Sequence, residues 1–154
     1  MWNGKHQNVL FLDKRKEVKP DVVGSNEYLP FKNDVFEKVV YDPPHCLRKH
    51  IKKPPIHGIY SGELFIKCFG VWDSQPQFLR NIIRVNKEVN RVLLPNGIFF
   101  IKYCEVARTK VSHKTMIKLL DNFVLRRKRI EKTKSTSKNK VYFLTLTPLV
   151  ELYV

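Results

Sequence analysis

Acidic residues are scarce in this chain: 14 Asp and Glu stand against 29 Lys and Arg, leaving a net charge of +15 over 154 residues. That imbalance argues for a polyanionic partner, with nucleic acid the first candidate and an inert basic surface the plain alternative. Long apolar runs are missing too. No stretch approaches the about 18 residues that span a bilayer, and the opening Met-Trp-Asn-Gly-Lys-His has no apolar core of the signal-peptide kind. The reading is a soluble, intracellular, cytoplasmic protein with no membrane partner. Cysteine is sparse: Cys46, Cys68 and Cys104 are odd in number, far apart and without a Cys-x-x-Cys pair. This excludes a disulfide framework and fits small buried thiols in a reducing compartment. His45, Cys46, His50 and His57 match no structural zinc spacing, so no metal site is expected.

What is present describes a globular chain, 43% hydrophobic and 12% aromatic, of a length that builds one domain over residues 1–154. Asn8 to Asp13, Asp21 to Ser25 and Phe36 to Tyr41 are short apolar runs bounded by turn residues, and each predicts a strand. Only Lys14 to Pro20 separates the first two, little room for the usual parallel crossover. Asp42 to His57 is a loop rich in proline and histidine, and Gly58 to Trp72 is ambiguous. From Ser74, a cap followed by Pro76 in the first turn, Phe78, Leu79, Ile82, Ile83, Val89, Val92 and Leu93 recur at helical spacing. Pro95-Asn96-Gly97 is expected to end that helix, with Ile98 to Tyr103 a strand. Ser112 caps a second helix, and Phe123 to Leu125 and Val141 to Leu146 predict the arms of a terminal hairpin. Its tip, Arg126 to Lys140, holds eight Lys/Arg and one acid, Glu131. That tip is either a solvated turn or a clamp on phosphates.

Alternation of strands and helices predicts an α/β sheet with parallel strands, whose ligands bind outside the strands' carboxyl ends. Asp13, Ser25 to Glu27, Asp42 to His45 and Lys102 to Glu105 stand at those ends. An acid at Asp13 suits ribose hydroxyls, although aspartate also ends strands for turn reasons. In Asp42-Pro43-Pro44-His45 the prolines stiffen the backbone and remove donors, so carbonyl oxygens and the Asp42 carboxylate would form an acceptor-rich point for a planar amino group. His45 would stack on its ring. A rigid turn after a strand is the bland alternative.

Asp42-Pro43-Pro44-His45 resembles the catalytic Asp-Pro-Pro-aromatic motif of class I methyltransferases that use S-adenosylmethionine on amino groups. The resemblance is closest to the DNA adenine/cytosine branch and its small phage and archaeal-virus relatives. Asn8 to Asp13 is similar to that family's second strand with its ribose-binding acid, and Pro20 to Phe31 to the third strand and the Leu-Pro-Phe turn beside the cofactor adenine. Phe31 to Pro44 resembles the run into the catalytic loop, Pro95 to Glu105 the fifth strand, and Val141 to Leu146 the last. The resemblance implies a Rossmann-like α/β methyltransferase sheet, N-terminally truncated, with a C-terminal β-hairpin. The family's first strand and glycine-rich loop lie before this chain's start, and only Trp2 to Lys5 matches the loop's end.

By the same resemblance, Asp42, Pro43, Pro44 and His45 would be catalytic, and Gly4, Asp13, Ser25, Asn26, Glu27 and Leu29 would hold S-adenosylmethionine. Arg48, Lys49, Lys52 and Lys53, with Arg126, Arg127, Lys128 and Arg129, would hold nucleic acid, DNA before RNA. The implied activity is methyl transfer to an exocyclic amino group of a nucleobase, adenine in DNA foremost; the alternative is a degenerate methyltransferase fold that only binds nucleic acid. Without the first strand, either its neighbours pair directly or a second subunit covers the gap, and a homodimer is the preferred form. A viral origin would place the chain in the host cytoplasm.

Overall fold

Phe78, Ile82, Val85, Val89 and Val92 recur every three to four residues and form the buried face of helix α1 (Gln75–Val92). Ser74 caps it by accepting a hydrogen bond from the Gln77 amide, and Pro76 sits in the first turn, where its missing N–H costs nothing. The shorter α2 (His113–Leu119) is capped in the same way by Ser112, and Met116 is its buried anchor. The computed structural model describes residues 8–44, 46–50, 66, 70–105, 111–132 and 140–149. Among them no helix is long and apolar enough to cross a membrane.

Both helices cover one face of a four-stranded sheet built from β3 (Phe36–Tyr41), β4 (Leu93–Glu105), β5 (Phe123–Lys132) and β6 (Lys140–Pro148), in the order β3-β4-β6-β5. β3 and β4 run parallel, and β6 is antiparallel to both of its neighbours. Strand alternation sends Phe99, Ile101 and Tyr103 of β4, with Tyr142, Leu144 and Leu146 of β6, into the core against Phe78, Ile82 and Met116. Complete burial of one such side chain stabilises the fold by roughly 2 kcal/mol. Ring contacts tie the layers together, with Phe78 against Tyr103 at 6.1 Å and against Trp72 at 5.2 Å.

A separate pair, β1 (Leu12–Asp13) and β2 (Val22–Val23), is parallel despite its short connection, which holds only a single 3-10 turn at Lys16–Val18. Direct pairing of β1 with β3, one of the two expected outcomes, does not occur: they belong to different sheets. Other expectations need correction. The first two strands are two residues long rather than five or six, since only two residues of each find ladder partners. Pro95-Asn96-Gly97 does not separate helix from strand. β4 begins at Leu93, directly after α1, and the three residues form an irregularity between the Phe36–Leu93 and Lys38–Ile98 pairings. Arg126 to Lys132 belong to β5 rather than to a hairpin tip, because β6 supplies a ladder for them as far as Lys140. Cys46 and Cys104 are half-buried rather than buried; Cys68 lies outside the described residues.

Candidate functional site

The carboxyl ends of β1, β2 and β3 carry Asp13, the Ser25–Glu27 turn and Asp42. Asp42 is exposed while the next residue, Pro43, is buried, so the chain turns sharply out of the sheet with its ring as anchor. Trp72 holds the turn from the other side. Its indole N–H donates to the Pro44 carbonyl at 2.6 Å, its backbone N–H donates to the Cys46 carbonyl at 3.0 Å, and its carbonyl accepts from Arg48 N–H at 2.8 Å. Gly70 permits this approach: its φ is +69°, and a Cβ there would meet Pro44 Cγ at 3.2 Å.

Lys102, on β4, donates to Asp42 Oδ2 at 2.8 Å. The ammonium occupies one carboxylate oxygen, Oδ2, and no described residue donates to Oδ1. The turn thus offers an exposed carboxylate with one oxygen left as an acceptor. Burial pushes the nearby Cys104 thiol up, with the Lys102 charge working against it and Asp42 adding to it, so the sulfur stays protonated.

Asp13 is clamped by Arg15, whose Nε and backbone N–H donate to Oδ1 at 2.9 Å each and whose Nη2 donates to Oδ2 at 2.6 Å. Burial raises the Asp13 pKa, yet the Arg15 hydrogen bonds and charge outweigh it and hold the carboxyl below its usual range. A carboxylate has about four acceptor positions, so Oδ2 retains one for a ribose hydroxyl. Asn26 and Glu27 face α1 through Asn81, which is 2% exposed and donates to Asn26 Oδ1 at 3.0 Å and Glu27 Oε1 at 2.8 Å. Tyr41 donates to Asn81 Oδ1 at 2.6 Å, and desolvation together with the Glu27 charge pushes its phenol up. Arg84 takes Glu27 Oε2, and Ser25 Oγ accepts from Glu27 N–H at 3.1 Å. Glu88 and Arg91 fix the Leu-Pro-Phe turn: Leu29 N–H donates to Glu88 Oε2 at 2.8 Å, and Arg91 donates to the Leu29 and Phe31 carbonyls at 2.9 and 2.7 Å.

Of the basic residues, Arg48 pairs with Asp73 at 2.6 Å in a 3-10 turn just after the Asp42 turn, and Lys49 beside it is exposed. Arg126, Arg127, Lys128 and Arg129 are exposed along β5; Arg126 reaches Thr147 at 2.9 Å and Arg129 lies over Phe143 at 4.9 Å. Gly4, His45, Lys52 and Lys53 lie outside the described residues, and no described group of His, Cys, Asp and Glu could hold a metal ion. Lys102, Trp72, Asn81 and Arg15 carry no motif in the sequence, and only the position of Lys102 at a strand end points to the site.

No protein-family model matches the chain, and no curated protein does. Solved structures do. The N-methyltransferase NodS from Bradyrhizobium japonicum WM9 aligns over 90% of this chain and 72% of its own, with a TM-score of 0.54 at 10% identity. The PH0226 protein from Pyrococcus horikoshii OT3 aligns over 83% of this chain, at a TM-score of 0.48 and 15% identity; the match spans 58% of that chain. The architecture is the Rossmann-like α/β fold of class I methyltransferases. At these identities the likeness concerns fold alone.

Proposed function

We propose that this chain is an S-adenosylmethionine-dependent methyltransferase acting on an exocyclic amino nitrogen of a nucleobase, adenine in DNA foremost. The observation that carries this reading is the Asp42-Pro43-Pro44 turn at the carboxyl end of β3, where the exposed Asp42 carboxylate pairs with Lys102 through one oxygen and the Pro44 carbonyl is held by Trp72. NodS, which shares the fold, is itself an N-methyltransferase.

In this reading Asp42 Oδ1 and the Pro43 carbonyl accept the two amino hydrogens, which turns the nitrogen lone pair toward the methyl donor. His45 would stack on the base, and a base in a duplex must leave the helix to reach the turn. Positioning supplies most of the rate, since aligning two reactants alone is worth several orders of magnitude. The remaining acceptor position on Asp13 Oδ2 fits a ribose hydroxyl, and Glu27 Oε1 and Oε2 each keep one for an adenine amino group. When bound there, S-adenosylmethionine supplies an activated methyl group.

Asp42→Ala is expected to abolish methyl transfer to adenine-containing oligonucleotides, read by incorporation of labelled methyl, while nucleic-acid affinity changes less than about twofold. Unchanged turnover would remove the mechanism. The second reading, a binding scaffold without transfer, is favoured by one observation: Arg15 already fills three acceptor positions of Asp13. Calorimetric titration with S-adenosylmethionine separates them. Binding lost in Asp13→Ala supports the enzyme, and no heat at millimolar ligand supports the scaffold.

A further inference from the structure

The face of the four-stranded sheet turned away from α1 and α2 carries no described helix, yet it is not polar. Its residues follow from the register and strand alternation. One row runs Arg129, Phe143, Lys102 and Asp42: Arg129 pairs with Phe143, Phe143 pairs with Lys102, and Lys102 reaches Asp42 at 2.8 Å. The next row runs Arg127, Thr145, Phe100 and Val40. Val40 is 61% exposed, Phe100 and Phe143 are half-buried, and Arg127 and Arg129 are exposed at the far edge. Phe100 and Phe143 are diagonal neighbours across β4 and β6, about 7 Å apart for such pairs. The Arg129 guanidinium lies 4.9 Å from the centre of the Phe143 ring.

We infer that this face is a stacking platform for single-stranded nucleic acid, which crosses from β5 over Phe143 and Phe100 to the Asp42 turn. Flat rings on a sheet face that no described helix covers, with cations beside them, are what unpaired bases and a phosphate backbone require; a duplex, with its bases stacked inward, offers the rings nothing. Charge complementarity selects this occupant. Lys102 pairs with Asp42 and Arg129 with Glu131, but the exposed Arg126 and Arg127 beside them have no acidic partner among the described residues, and an apolar protein partner would leave these two without a counterpart. About three strand spacings, roughly 14 Å, separate Arg129 from Asp42, so one strand held at β5 reaches the turn without bending back. The inference deepens the reading above, on which it rests for the role of Asp42: the substrate is single-stranded, and its base needs no extraction from a helix.

The test is fluorescence anisotropy of the full chain, without cofactor, on a labelled single-stranded oligodeoxynucleotide, its duplex and its RNA counterpart, across a salt series. The single strand is expected to bind more tightly than the duplex. Phe143→Leu and Phe100→Leu keep apolar volume but lose the flat ring, and each should weaken single-strand binding about 10-fold with an unchanged salt slope. Arg127→Gln and Arg129→Gln should each lower that slope by about 0.7. Leucine variants that bind as the parent does, or equal affinity for strand and duplex, overturn the platform.

Phe143→Trp gives a readout independent of affinity. Quenching of the added indole by the single strand supports stacking, and unchanged fluorescence overturns it. A leucine-sensitive dimer that excludes the oligonucleotide would assign the face to a second copy of this chain and also overturn it. Methyl transfer is scored separately: its absence with a working platform removes the catalytic reading alone, and leucine variants with parental affinity remove the platform alone.

Discussion

At Asp42 the decisive neighbour is Lys102. Their side chains are 46% and 50% exposed, so the ion pair contributes at most about 1 kcal/mol to stability. Its effect is directional. In the proposed mechanism the ammonium on Oδ2 restrains the carboxylate and leaves Oδ1 for the substrate amino group. In that mechanism Lys102 is thus a positioning residue, and Lys102→Met is expected to lower kcat roughly 10- to 100-fold, the cost of small misplacements. KM for S-adenosylmethionine should stay unchanged and the melting temperature should move by no more than a few degrees. Lys102→Arg should restore most of the rate, because it keeps a donor in reach. Steady-state kinetics with an oligonucleotide acceptor checks this, and a fall in stability matching the fall in rate would count against positioning. Legibility divides along the same line. Asp42, Pro43 and Pro44 were readable as a motif because they are contiguous. Lys102, Trp72 and Arg15 were not, because a linear pattern does not reveal which cation or indole folding brings to a carboxylate or carbonyl.

At the scale of elements, α1 does more than cover the sheet. Its outer turns anchor the Ser25–Glu27 turn through Asn81 and Arg84, and the Leu29–Phe31 turn through Glu88 and Arg91. Hydrogen bonds from Arg91, and then from the Leu29 amide, outweigh burial and hold the Glu88 carboxyl below its usual range. A carboxyl depressed in the folded state adds stability that is complete above its unfolded pKa, about 4.3, and is lost as pH falls through the folded value. The melting temperature should therefore decline below about pH 4.5, and Glu88→Gln should flatten part of that decline. Arg91→Ala should cost about 2 kcal/mol, the scale of charge-assisted hydrogen bonds, and lower the melting temperature by roughly 5 °C; thermal scans across pH measure both.

Element types were largely legible: α1, α2 and β3 follow their apolar spacing and caps, and β3 matches residue for residue. Lengths were not. Periodicity records which face a side chain takes, whereas a strand's extent depends on whether a neighbour supplies hydrogen bonds. Val9 and Leu10 read as strand but are more than half exposed and lie outside the ladder. Arg126 to Arg129 read as tip but are strand because β6 lies alongside.

For the whole molecule, two groups within the net charge of +15 bear on nucleic-acid binding. Arg48 and Lys49 follow the Asp42 turn, and Arg126 to Arg129 line β5 at the opposite edge of the sheet. Arg129 ends the row that leads to Asp42, and Arg48 and Lys49 follow Asp42 in the chain, so a single strand that continues past Asp42 would meet both groups. Each phosphate contacted on single-stranded nucleic acid adds about 0.7 to the salt slope. If about five phosphates are held, affinity should fall roughly 100-fold between about 50 and about 200 mM salt. The two groups then make separable contributions. Arg48→Gln with Lys49→Gln should lower the slope, Arg127→Gln with Arg129→Gln should lower it again, and the four changes together should give the sum, since the groups are too far apart to share a phosphate. Additive slopes mean that one strand engages both edges. A slope governed by β5 alone would confine binding to that edge and detach the Arg48–Lys49 turn from the nucleic acid, even if Asp42 proved catalytic.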